Sequence, residues 1–187
     1  MTQIFAIHGA FSTPRMFNYL KKELNDHSWD FIDYGDRISN IEDIIFHAKN
    51  SLIGSNYTVI GHSMGGLIAL SLADHPNVDR VVTIATPLGG LDINLIQSYL
   101  SRSHFLSEIA HNSKFIRQIH QQKIIKPTLH LVTTHGFNPY IYEPNDGVVT
   151  VRSQTRWSCG QVHEIYANHS EVLLHEDTVK YLKNWLA

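Results

Sequence analysis

The chain has 187 residues, 43% of them hydrophobic and 17% charged, with a formal charge of −2. That is enough chain for one well-buried domain and short for two. The near-neutral balance gives no electrostatic affinity for nucleic acid or an anionic membrane, and no stretch approaches the roughly 18 consecutive apolar residues of a membrane span. The single cysteine, Cys159, cannot close an internal disulfide. The first residues lack a basic region, and their apolar run is too short for a signal peptide. With the lone thiol, this sets the expectation of a cytoplasmic protein. Thirteen histidines make the net charge rise with acidification, beginning below about pH 6.5.

In chain order, residues 3–8 are a short apolar run that predicts a central strand. Thr13-Pro14 marks a helix start, with Pro at the first helical position; Phe17, Leu20 and Leu24 follow at helical spacing. Residues 29–33 predict a second strand. Ser39 and Glu42 have the S-x-x-E form of a capping box, ahead of the helical stripe Ile41, Ile44, Ile45, Ala48 and Leu52. Residues 57–60 predict a strand, 67–73 a helix and 80–85 another strand. Leu88-Gly89-Gly90 then breaks the alternation. Residues 91–125 carry no strand pattern; Leu95/Ile96 with Tyr99/Leu100, Phe105/Leu106 with Ile109/Ala110, and Phe115/Ile116 with Ile119 predict two or three short amphipathic helices. Residues 127–133 return to strand, 161–167 form the last one, and 172–185 predict a closing helix. The alternation predicts a three-layer α/β/α sandwich around a mostly parallel sheet of about six strands, linked by right-handed crossovers. Such sheets bind ligands beyond the carboxyl ends of their strands.

The chemistry is announced by Gly61-His62-Ser63-Met64-Gly65. It is a G-x-S-x-G sequence with a buried-strand pattern before it and a helix pattern after it. The two glycines leave room where a Cβ would crowd the turn, and the helix start aims its first amides at whatever Ser63 attacks. A serine hydroxyl needs a base, and the base needs an acid to orient it. Asn168-His169-Ser170 directly follows the last strand, so His169 is the expected base, with His175 as rival. Asp146, in Asn145-Asp146-Gly147-Val148-Val149, is the expected acid because Ser, Asp, His is the chain order of this architecture; Glu143 is the runner-up. The oxyanion donors are expected from the amide of Met64 and from the loop His8-Gly9-Ala10-Phe11, with Ala10 the best candidate and Phe11 next.

These pieces, with Ala85-Thr86-Pro87 and Gly89-Gly90, span nearly the whole chain and resemble the α/β-hydrolases, within them the small lipase/esterase and GPI inositol-deacylase-like branch. The resemblance implies a minimal α/β-hydrolase domain over residues 1–187, lacking the antiparallel edge strands that many relatives carry first. It implies nucleophile, acid and base roles for Ser63, Asp146 and His169, and a small helical cap at about 91–125 over the site. Phe11 and Phe105 are the expected substrate-binding side chains, and Phe137, Tyr140 and Tyr142 border either an acyl pocket or merely a packed surface loop. No histidine pair has H-E-x-x-H spacing, so neither a metal nor a cofactor is expected. The function class that follows is a serine hydrolase of carboxylic esters acting on a small, possibly lipid-like, acyl substrate. Thioesterase, amidase and acyltransferase are close variants on the same triad, and a non-catalytic binding protein of the same fold is the disfavoured alternative.

Overall fold

A computed structural model describes residues 2–35, 40–54, 56–92 and 105–187, the side chain of Phe105 excepted. Six strands form one sheet, β1 (Gln3–Ile7), β2 (Ser28–Ile32), β3 (Tyr57–His62), β4 (Val78–Ile84), β5 (Thr128–Thr133) and β6 (Gln161–Ile165). Their order is β2-β1-β3-β4-β5-β6, and every pairing is parallel. The chain therefore starts inside the sheet, steps out to β2, returns past β1 and walks to the other edge. That reversal at β1/β3 is a topological switch point, where crossover loops part and leave a crevice.

All six positions of β3 and of β5 are buried, as expected for parallel strands covered on both faces. Side-chain alternation divides the core. Phe5, Ile7, Val59 and Val81 point to one face with α2 (Ile41–Ser51) and α3 (Met64–Ser71). Ile4, Ala6, Ile60, Val82 and Ile84 point to the other with Leu20 of α1 (Asn18–Glu23) and Leu182 of the last helix. Helix α3 is buried at every position from Met64 to Leu70, so it has no polar stripe, as befits a helix enclosed by its neighbours.

Four local features differ from the sequence expectation: the α2 cap, the form of the Pro14 start, a break in the closing helix and one further short helix. The α2 cap is Asn40, whose side chain accepts from the Asp43 amide at 2.8 Å; Ser39 lies outside the described residues. Asn and Asp are as good at this position as Ser, so the expected box was displaced by one residue. The Pro14 start holds, but as a 3₁₀ turn, Pro14–Phe17, leading into α1. Within 91–125 the described helices are α4 (Phe105–Glu108) and α5 (Lys114–Gln121), the latter capped by Ser113; the spacing at Leu95 to Leu100 lies outside the described residues. The closing helix is broken into a 3₁₀ turn, Glu171–Leu174, and α7 (Glu176–Leu186), because the His175 ring accepts from the Asp177 amide at 3.2 Å and starts the helix anew. A short helix not foreseen, α6 (Val151–Thr155), follows the Asp146 loop and is capped by Thr150.

Candidate active site

Ser63 stands between β3 and α3 with φ 54° and ψ −125°, backbone angles that a side-chain-bearing residue adopts only under constraint. The constraint is visible on both sides. The Ser63 amide donates to the Ile84 carbonyl of β4 at 2.8 Å, and α3 is pressed against β1. A Cβ on Gly65 would lie 2.2 Å from the Ile7 carbonyl oxygen, and one on Gly66 would lie 1.9 Å from Thr86 Oγ1. Only bare backbone fits, so the helix sits close enough to push the serine out of the sheet plane.

The structure brings Ser63, His169 and Asp146 together, 106 and 23 residues apart in sequence. His169 Nε2 lies 3.0 Å from Ser63 Oγ, and His169 Nδ1 lies 2.8 Å from Asp146 Oδ2. A carboxylate only accepts, so Nδ1 carries the proton and Nε2 presents its lone pair to the hydroxyl. The backbone repeats the link, with the His169 amide donating to the Asp146 carbonyl at 3.0 Å. The rivals are elsewhere: His175 caps α7, and Glu143 makes an exposed ion pair with Arg152 at 3.3 Å.

Asp146 is 1% exposed. Burial by itself pushes its carboxyl up, but bonds from His169, Thr133 and the Val149 amide outweigh that and hold its pKa below the usual 3.8. Oδ1 accepts from the amides of Val148 (2.9 Å) and Val149 (2.7 Å), and Oδ2 from Thr133 Oγ1 (2.5 Å). Gln154 of α6 closes the arrangement. Its amide group pairs with the Thr133 backbone at 2.9 and 3.0 Å and reaches Asp146 Oδ2 at 3.3 Å. Thr133 and Gln154 escaped the sequence reading. Thr133 had a signal, a polar residue ending an apolar strand at the functional rim, whereas Gln154 had none.

The loop after β1 faces the serine. A Cβ on Gly9 would come within 3.1 Å of Ser63 Cβ, so the loop passes against the serine at Gly9, with Ala10 and Phe11 next in the chain. Phe11 has φ 57° and a mostly exposed ring. Among the described residues the amides of Ala10 and Met64 have no protein acceptor. The loop is held from below: Tyr34 Oη donates to the His8 carbonyl at 2.5 Å, the Tyr34 and His8 rings stack at 3.9 Å, and His8 Nδ1 donates to the Gly9 carbonyl at 2.8 Å. His8 is held below its usual pKa by burial, against weaker raising contributions from Gly9 and Asp33.

A cleft of about 560 Å³ lies to one side, lined by Gly89, His111, Tyr140, Tyr142, Arg152 and Arg156 among others. Neither Ser63 nor His169 lines it, and its two arginines are matched by Asp92 and Glu143 in the same lining. Tyr140 and Tyr142 thus border this cleft, while Phe137 projects into solvent. The cleft is thus separate from the Ser63–His169–Asp146 cluster. No group of three or more His, Cys, Asp or Glu among the described residues is placed to hold a metal ion.

Known proteins share this framework. The Thioesterase domain model matches residues 2–75, a stretch that holds the β1 loop and Ser63 but neither Asp146 nor His169. No curated protein matches the chain by sequence. Among solved structures, a lipase from Bacillus licheniformis in mature form superposes with a TM-score of 0.79 at 17% identity, covering 100% of this chain and 92% of its own. A lipase-esterase related protein from Clostridium acetobutylicum gives 0.72 at 17% identity over 98% and 93%. An enol-lactonase from Burkholderia xenovorans gives 0.69 at 14% identity over 99% and 91%. The chain has the α/β-hydrolase fold, in a minimal six-stranded, all-parallel form.

Proposed function

We propose that the protein is a serine hydrolase that cleaves carboxylic esters through an acyl-enzyme on Ser63. The observation that carries this reading is the unbroken run from buried Asp146 through His169 to Ser63, at 2.8 and 3.0 Å, ending on a serine held at positive φ. His169 Nε2 takes the Ser63 proton as Oγ attacks the substrate carbonyl carbon. The carbonyl oxygen becomes an oxyanion, received by the amides of Met64 and Ala10. His169, now an imidazolium steadied by Asp146, gives its proton to the departing alkoxide. A water then enters, gives a proton to His169 and attacks the acyl carbon; collapse returns the proton to Ser63 and frees the acid.

Phe11, which follows Ala10 in the oxyanion loop and has a mostly exposed side chain, is proposed to contact the acyl chain, as is Phe105, whose side chain lies outside the described residues. The helices over 105–121 act as the described part of a cap. The expected occupant is a small acyl ester of lipid-like character, bound without cofactor or metal. Cytoplasmic placement rests on the lone cysteine; among the described residues no helix is long and apolar enough to cross a membrane.

Thioester cleavage is the second reading, favoured by the match of residues 2–75 to the thioesterase model. It uses the same steps with a thiolate leaving group. A panel of p-nitrophenyl esters assayed beside the matching acyl thioesters decides between them. Higher kcat/KM on oxygen esters supports the first reading, and higher kcat/KM on thioesters the second. Hydrolysis of neither would refute both.

A further inference from the structure

His62, the variable position of the G-x-S-x-G sequence, takes no chemical part in the steps above, yet its side chain is buried beside them. We infer that His62 is a positioning residue that ties the His169 loop to the nucleophile strand through the hydrogen bond from its Nε2 to the His169 carbonyl oxygen. This rests on the reading of Ser63, His169 and Asp146 given above.

The bond is 2.7 Å long and joins residues 107 apart. A carbonyl can only accept, so Nε2 bears the proton and Nδ1 is a bare acceptor. That Nδ1 is buried with no partner; a Cβ on Gly9 would lie 3.2 Å from it. An apolar side chain of similar size would fill this space without an unmatched polar atom. Packing therefore does not account for an imidazole here, whereas the Nε2 donor does.

The connectivity shows what the donor accomplishes. The His169 amide and ring Nδ1 both bond to Asp146, so these links fix the loop only to the acid. The His62 bond is the one among these contacts, apart from the reactive Nε2–Ser63 pair itself, that fixes it to β3. His62 also ends β3 opposite Ile84, whose carbonyl holds the Ser63 amide. One strand end thus sets the height of the serine and the reach of the base. Burial, reinforced by nearby His169, lowers the His62 pKa to about 3. It stays neutral at neutral pH, and with ring centroids 4.9 Å apart it adds no positive charge beside the imidazolium formed in the reaction.

Three variants test this on p-nitrophenyl acetate, with kcat, KM, melting temperature and the low-field proton resonance of the His169 Nδ1–H as readouts. His62→Leu removes the donor and should lower kcat about 10- to 100-fold, the scale of a misplaced catalytic group, with KM within about twofold and the resonance broadened or lost. His62→Gln keeps an N–H donor and should recover most of the lost kcat together with the resonance. Wild-type kcat in His62→Leu overturns the inference, as do parallel losses in both variants that follow melting temperature while the resonance persists. Should His62→Leu not fold, His62→Gln decides alone. Retained kcat with the resonance supports the inference, and lost kcat with an unchanged resonance overturns it. Ser63→Ala separates the two levels: activity surviving in Ser63→Ala refutes the triad reading itself, whereas an inactive Ser63→Ala beside a fully active His62→Leu refutes the role of His62 alone.

Discussion

Acidification from pH 7.5 to 5 should strip the fold of a large share of its stability, through histidines buried as neutral rings. His62 is 3% exposed and His130 is 1% exposed. Burial and nearby His169 hold His62 at about 3, and burial holds His130 at about 4, both below the ordinary 6.5. His130 lies between Thr83 Oγ1 at 2.7 Å and the Cys159 amide at 3.3 Å. The amide can only donate, so Nε2 must stay unprotonated and a second proton would face an N–H. In the unfolded chain both rings take up protons below about pH 6.5; folded, they do not. The unfolded state then binds more protons, so stability is complete above that value and falls with pH until the folded values are reached. At pH 5 each ring costs about 2 kcal/mol, or about 4 kcal/mol together, at 1.36 kcal/mol per pH unit. Asp146 does not contribute in this window, because its lowered pKa removes stability only at more acid pH. Against a typical total of about 5–15 kcal/mol, the loss is readily measured by urea unfolding at the two pH values. His130→Gln should be less stable at pH 7.5 but lose about 2 kcal/mol less on acidification. A wild-type unfolding free energy that changes by under about 1 kcal/mol would refute the reasoning.

Gly65→Ala should unfold the protein or lower its stability by more than about 3 kcal/mol, because the new methyl meets backbone rather than a movable side chain; calorimetric melting checks it, and a near-native melting temperature would count against the packing described. Asp146→Asn should leave the fold intact by circular dichroism yet lower kcat about 10⁴-fold, as loss of the orienting carboxylate does in other triads. Phe105→Ala should shift chain-length preference across a p-nitrophenyl ester series while Ser63 stays reactive to a small phosphonate; equal losses on every ester, in step with melting temperature, would mean that this helix only covers the sheet.

The sheet, and the meeting of Ser63, Asp146 and His169 in space, were legible because each obeys a local rule. Apolar runs such as 57–60 and 127–133 are what buried parallel strands look like, and Ser63, Asp146 and His169 each follow one directly or through its loop. What was not legible depends on contacts between distant segments. The α2 cap fell on Asn40 rather than Ser39 because neighbouring polar residues compete for one geometry. His175 broke the closing helix through a ring-to-amide bond that spacing does not encode. Gln154 sits on a short helix with no periodic signature, and its value comes only from meeting Thr133 and Asp146 in space. His62 was hidden in plain view, since the x of a G-x-S-x-G sequence carries no pattern of its own.

Covalent labelling of Ser63 tests the central claim most directly. The protein is treated with a fluorophosphonate, its residual ester hydrolysis is followed, and the adduct is mapped by peptide mass spectrometry. The account predicts a single adduct on Ser63, formed in proportion to lost activity and not formed in His169→Ala within the time that consumes the wild type. An adduct on another serine, or active protein that remains unlabelled, would contradict it.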